Sequence, residues 1–169
     1  IEGNPNLKFI DLVLQNKPTQ VTLVPDAVDA ITSNAGWDTV KHKDFLTEII
    51  SEFKNNSIRT SVFVDPVAAM IEGASKIGAD RIELYTEAFA DKFTISPEEA
   101  VRPYTESAML AHSLNLGINA GHDLSLKNIA YFKEKVPYLL EVSIGHALIG
   151  ESLYLGLETG ISNYLKALK

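Results

Sequence analysis

The chain has no cysteine, one tryptophan and two methionines. Without cysteine it can form neither disulfides nor thiolate metal sites, a composition that fits a reducing cytoplasm. It has no basic run, and its formal net charge is −7 with a pI near 5.1. Nucleic acid and anionic membrane surfaces are therefore poor partners, although local phosphate binding stays open to an acidic protein. No apolar stretch reaches membrane-spanning length and no signal peptide opens the sequence. The Gly-x-Gly-x-x-Gly fingerprint and the Walker loop are both absent. No set of histidines and carboxylates shows metal-ligand spacing, so no metal is expected.

What remains is a sequence of 169 residues, 46% hydrophobic, enough for one sizeable core and a single domain over 1–169. Apolar, β-rich runs alternate with helical patterns. The expected strands are Val21 to Val24, Thr60 to Val64, Arg81 to Tyr85, Leu116 to Asn119 and Leu140 to Ile144. Helical stripes follow at Leu46, Ile49, Ile50 and Phe53, at Val67, Met70, Ile71 and Ala74, at Leu110, Ala111 and Leu114, and at Leu153, Leu157, Ile161 and Leu165. Ser96-Pro97-Glu98-Glu99 carries a helix-start signature, and Asp65-Pro66 with Gly78-Ala79-Asp80 brackets a short helix. Gly150 and Gly156 suggest close packing within the last helix.

This alternation points to an α/β fold with a parallel sheet. Polar residues fall at the C-terminal ends of several strands, the habit of a (β/α)8 TIM barrel. A full barrel takes roughly 250 residues. Ile1 to Pro5 reads as the end of a strand entering a helix, so the expectation is the C-terminal two-thirds of a barrel, with about two βα units upstream.

Two glycine-histidine pairs follow apolar runs, Gly121-His122 and Gly145-His146. A histidine titrates near neutrality and can both donate and accept a proton, which suits His122 to acid–base chemistry; a structural histidine bonded to a neighbouring loop fits the same position. Gly145-His146 opens the last helix, where free backbone N–H groups suit a phosphate or simply mark a tight helix start. Glu83 lies inside an apolar strand, where a carboxylate must be paired or strongly desolvated unless it faces solvent at the sheet edge. Glu2 stands at another strand end. The connection from Pro25 to Asp38 is long enough for a lid, from which Thr32 or Ser33 could touch a substrate; a plain surface loop anchored by Trp37 is the alternative. His42 and His112 read as a solvated and a structural histidine.

Taken in order, Leu23-Val24-Pro25, the Thr32 to Asp38 loop ending Gly-Trp-Asp, Val62-Phe63-Val64-Asp65, Ile82-Glu83-Leu84-Tyr85-Thr86, Gly117-Ile118-Asn119-Ala120-Gly121-His122 and Ile144-Gly145-His146-Ala147-Leu148-Ile149-Gly150 resemble the pyridoxine 5'-phosphate synthase family. The resemblance covers essentially the whole chain. It implies a (β/α)8 barrel that condenses 3-amino-2-oxopropyl phosphate with 1-deoxy-D-xylulose 5-phosphate, releasing inorganic phosphate and water. It further implies no metal or redox cofactor, and a homo-octamer built from dimers. Carried over by position, His122 matches the proton donor, Glu2 the catalytic glutamate, and Glu83 the transition-state stabiliser. Gly145 and His146 match a phosphate-holding pair, and Thr32 a lid residue. Asp123 stands where the family often has a phosphate-binding glycine. The family's further catalytic histidine and substrate-binding arginine and asparagine residues, on its first strands, have no match in this chain. Other readings of the same residues are a sugar-phosphate isomerase using Glu2 and His122, and an inactive fragment or partner-binding subunit.

Overall fold

In the computed structural model, residues 1–26 and 35–169 are described. Among them, six strands form one parallel sheet in sequential order: β1 (Glu2–Gly3), β2 (Gln20–Leu23), β3 (Arg59–Val64), β4 (Arg81–Tyr85), β5 (Gly117–Gly121) and β6 (Leu139–Ser143). The helices between and after them are α1 (Leu7–Asn16), α2 (Lys43–Asn55), α3 (Ala68–Lys76), α4 (Glu87–Phe93), α5 (Pro97–Ser113), α6 (Ile129–Lys135), α7 (His146–Leu155) and α8 (Leu157–Ala167). A strand, a helix and the next strand alongside is the repeating unit of parallel α/β folds.

The period of two along each strand sorts residues onto two faces. Val21, Leu23, Val62, Val64, Ile82, Leu84, Ile118 and Ala120 face the helices and join the main core with Leu46, Ile50, Phe53, Ile71, Phe89 and Tyr104. The alternate residues line the opposite face, which is polar for much of its length. At its lower end, Arg59 Nε donates to Gln20 Oε1 at 2.8 Å and Arg81 Nη1 to Asn119 Oδ1 at 3.0 Å. Glu141 Oε1 receives both guanidinium groups, at 3.3 Å from Arg59 and 2.8 Å from Arg81. Five adjacent strands are thus tied together by side chains as well as by the backbone ladder. Higher up, Val24, Phe63 and Tyr85 form a small apolar cluster apart from the main core.

The expected strands are all present, Arg81–Tyr85 with the expected bounds and the others with shifted ends. β5 runs on to Gly121 because Ala120 and Gly121 pair with Val142 and Ser143. β6 begins at Leu139, and Leu140 is the extra residue of an irregularity opposite Ile118 and Asn119. The Leu46–Phe53 stripe is wholly buried, whereas Val67 precedes α3 and is exposed. Ser96 does precede α5, but its side chain makes no capping bond.

The largest correction concerns the last helix, which is two. Gly156 lies between α7 and α8 with φ +81°, a conformation that breaks helical phase. The stripe Leu153, Leu157, Ile161 and Leu165 does not face the core: all four are exposed, Leu153 at 81%, while Gly160 and Tyr164 are the buried residues of α8. Nor do Gly150 and Gly156 mark close packing, since a Cβ on either would meet nothing within 4 Å. Gly160 is the closely packed one, against Ser152.

Candidate active site

Strands β1 and β4 and the residue just after β5 bring Glu2, Glu83 and His122 together. Register sets their heights: the level of Glu2 runs through Thr22 and Ser61 to Arg81, and Glu83 stands two residues further along β4, level with Phe63 and Asn119. His122 Nε2 lies 3.5 Å from Glu2 Oε1, and His122 Nδ1 lies 3.9 Å from Glu83 Oε1. The imidazole therefore stands between two carboxyl groups. Its ring packs on Phe63 at a centroid distance of 4.6 Å and meets Tyr85 edge-on at 6.2 Å.

The backbone at His122 has φ +86°, a region that non-glycine residues occupy at a cost of about 1–3 kcal/mol. Its N–H donates to the Ser143 carbonyl at 3.0 Å, and the preceding Gly121 carbonyl accepts from Thr86 Oγ1 at 2.6 Å. The ring is thus aimed by a locally strained turn that β6 and the residue before α4 hold in place.

The two carboxyl groups differ in environment. Glu83 is 1% exposed, and burial together with repulsion from Glu2 pushes its carboxyl up to about 8, against the opposing pull of the neighbouring Thr22 and Ser143 hydroxyls. Glu2 is more open. Burial raises its carboxyl too, and His122 opposes the rise. Two carboxyls in unlike surroundings are the usual arrangement for dividing acid and base work. An open depression of about 360 Å³ adjoins Glu2, lined by Asn4, Asn6, Val24 and Asp26 among others.

The two glycine-histidine pairs are not equivalent. Gly121 is buried and crowded, and His122 is half-buried beside it. Gly145 and His146 are exposed at the start of α7, and a Cβ on Gly145 would meet nothing within 4 Å. The first N–H groups of α7 are open to an anion there. Asp123 is exposed beyond β5. Its N–H lies 3.3 Å from Thr86 Oγ1, and partial desolvation and the Glu87 carboxylate raise its carboxyl while His122 and His146 pull it down. Thr32 and Ser33 lie outside the described residues. The end of that connection is anchored: Gly36 N–H donates to Asp65 Oδ2 at 3.0 Å, and Trp37 N–H to the Phe63 carbonyl at 2.8 Å. Trp37 is buried and packs against His42 and Phe45, so His42 is a helix-start contact rather than a fully solvated residue. His112 stacks on Tyr138 at 3.7 Å, away from the site.

Sequence reasoning missed Thr22, Ser143, Phe63 and Tyr85 as surroundings of the site. The available signal was a polar residue at an alternate position within the run Val21-Thr22-Leu23, a departure from the continuous apolar run of a strand covered on both faces.

Solved structures show the fold independently. An Amycolatopsis orientalis BexX/CysO complex superposes with a TM-score of 0.57 at 14% identity, covering 94% of this chain and 59% of that one. A citrate synthase variant, SbnG, gives 0.59 at 12% identity, covering 99% and 69%. At such identities the likeness concerns fold alone. Curated relatives are far more similar in sequence, and each is named pyridoxine 5'-phosphate synthase. The protein from Christiangramia forsetii is 70% identical, that from Flavobacterium johnsoniae 64%, and that from Bacteroides fragilis 58%. In each case the match covers all of this chain and 71% of the relative. Residues 1–169 also match the family described as "Pyridoxal phosphate biosynthesis protein PdxJ". With His122 and its two carboxyl partners assembled on a parallel sheet, and with this match over its whole length, the chain belongs to the PdxJ family.

Proposed function

We propose that this chain supplies catalytic and phosphate-binding residues of a pyridoxine 5'-phosphate synthase, a ring-closing transferase of vitamin B6 synthesis. The reaction joins 3-amino-2-oxopropyl phosphate to 1-deoxy-D-xylulose 5-phosphate and releases phosphate and water. The observation that carries the reading is His122 held between a half-open and a buried carboxyl group. The names of relatives 58–70% identical over the full chain support it.

Condensation, dehydration and ring closure each move protons. Glu2, the more open carboxylate, is the acceptor in this reading. His122 is the donor, with Glu2 beside Nε2 to hold the imidazolium that returns the proton. Glu83, neutral at pH 7 because it is buried, supplies a hydrogen bond to developing charge without adding a second anion. Gly145 and His146 hold one substrate phosphate through the open end of α7, and Thr32 touches the pentulose phosphate. Fixing both anionic substrates converts a bimolecular encounter into an oriented one. The chemistry requires no metal or redox cofactor.

We further propose that 1–169 is a single domain and the C-terminal part of a (β/α)8 barrel. Six parallel strands in sequential order support this, as does the additional length of the relatives. A cytoplasmic homo-oligomer, an octamer by the family resemblance, completes the reading; among the described residues no helix is long and apolar enough to cross a membrane.

The test is product formation by the protein at its full native length. With both phosphorylated substrates it should yield pyridoxine 5'-phosphate and inorganic phosphate together, and nothing when either substrate is omitted. Failure to form the product from both substrates would overturn the assignment.

A further inference from the structure

Thr22 stands between the two carboxyl groups of the site. It is level with Glu2 on the neighbouring strand β1, and lies two strands from Glu83 on the other side. Its hydroxyl nevertheless goes to Glu83, with Oγ1 3.4 Å from Oε2 in a buried contact. The strand between them makes this reach possible: Ser61 is level with Thr22, is fully buried, and is too small to come between. Thr22 itself is 4% exposed.

On the far side, Glu83 Oε1 is pressed against the face of Gly121, where a Cβ would stand 2.5 Å away. No donor among the described residues reaches Oε1 at hydrogen-bonding distance. One carboxyl oxygen is thus anchored and the other is confined to the side of His122.

We propose that Thr22 is a positioning residue, whose hydroxyl donates to Glu83 Oε2 and so keeps Oε1 turned toward His122 Nδ1. The proposal rests on the roles given above to Glu83 and His122. When Glu83 carries its proton, a donor on Oε2 makes that oxygen the carbonyl and leaves the proton on Oε1, facing the imidazole. When Glu83 is ionised, the same donor is the hydrogen bond that most favours the charged form, so its loss would push the carboxyl further up.

The test compares Thr22→Val, which keeps the shape and deletes the hydroxyl, with Thr22→Ser, which keeps the hydroxyl and deletes the methyl. In the protein at full native length, Thr22→Val should lower kcat about tenfold, the effect of one hydrogen bond to an ionisable group. KM for both substrates should stay within about twofold, as expected when ground-state binding is untouched. Thr22→Ser should recover most of the rate. The titration of Glu83, followed by the infrared carbonyl stretch of its protonated form and assigned by its loss in Glu83→Gln, should move to higher pH in Thr22→Val and return in Thr22→Ser. Equal impairment of both variants, or an unmoved titration in Thr22→Val, would overturn the proposal. The infrared titration needs no turnover, so it still decides the point if the wild-type protein fails to make pyridoxine 5'-phosphate.

Discussion

Gly121 and Glu83 lie face to face on neighbouring strands: a Cβ on Gly121 would come within 2.5 Å of Glu83 Oε1 and 2.8 Å of the Ser143 carbonyl oxygen. One of these neighbours is a buried carboxyl and the other is sheet backbone, so neither can yield cheaply. Gly121→Ala should therefore destabilise the fold by about 1–3 kcal/mol, the usual cost of overpacking. It should also lower kcat by at least about tenfold by displacing Glu83 from His122. Urea unfolding and steady-state kinetics check the two effects, and unchanged stability would show that the contact is looser than the geometry says.

Glu83 also sets a pH dependence of stability. Its folded-state carboxyl is raised to about 8 from an ordinary value of 4.5. The folded chain thus keeps a proton that the unfolded chain releases, and the associated stability is present below pH 4.5 and lost as pH rises through 8. Each unit of such a shift corresponds to about 1.4 kcal/mol. Glu83→Gln should flatten the decline. Parallel declines for wild type and variant, measured by urea unfolding across that range, would contradict this.

Asp123 places a carboxylate near His122 and His146, beside the helix end proposed to take phosphate. Like charge there weakens anion binding. Asp123→Asn should tighten inorganic phosphate binding about twofold to fivefold, within the range of a partly screened surface charge. Calorimetric titration with phosphate gives the comparison, and weaker binding by the variant would mean that Asp123 orients the site instead.

Arg81 ties β4 to β5 and β6 through Asn119 and Glu141. Arg81→Met removes both contacts and leaves Asn119 Oδ1 without its donor. A loss of about 2 kcal/mol is expected, with Arg59 still holding Glu141. Thermal unfolding measures the loss, and KM for both substrates should not change.

The layout of strands and helices was legible because Val21–Leu23, Thr60–Val64 and Arg81–Tyr85 are short β-rich runs set between helical stripes. The ends were less so: β5 continues through Ala120 and Gly121 only because partners on β6 exist in space. The split at Gly156 was missed because the apolar spacing from Leu153 to Leu165 runs across the break as if one helix were continuous. Within the site, His122 and Glu83 stood out as polar groups at a strand end and inside an apolar run, whereas Glu2, at the start of the sequence, was singled out only by the family resemblance. Their convergence depends on sheet order, which spacing along the chain does not encode. Thr22 stayed hidden for the same reason, since only register places it between two carboxyl groups.

The central claim is that His122, between Glu2 and Glu83, carries the proton transfer of pyridoxine 5'-phosphate formation. The most direct measurement is kcat for that product, wild type beside His122→Ala, in the protein at full native length with both substrates saturating. His122→Ala should lower it about a hundredfold to ten-thousandfold, the range for loss of a general acid, with the circular dichroism spectrum and unfolding midpoint retained. A folded His122→Ala protein that turns over at the wild-type rate would contradict the claim.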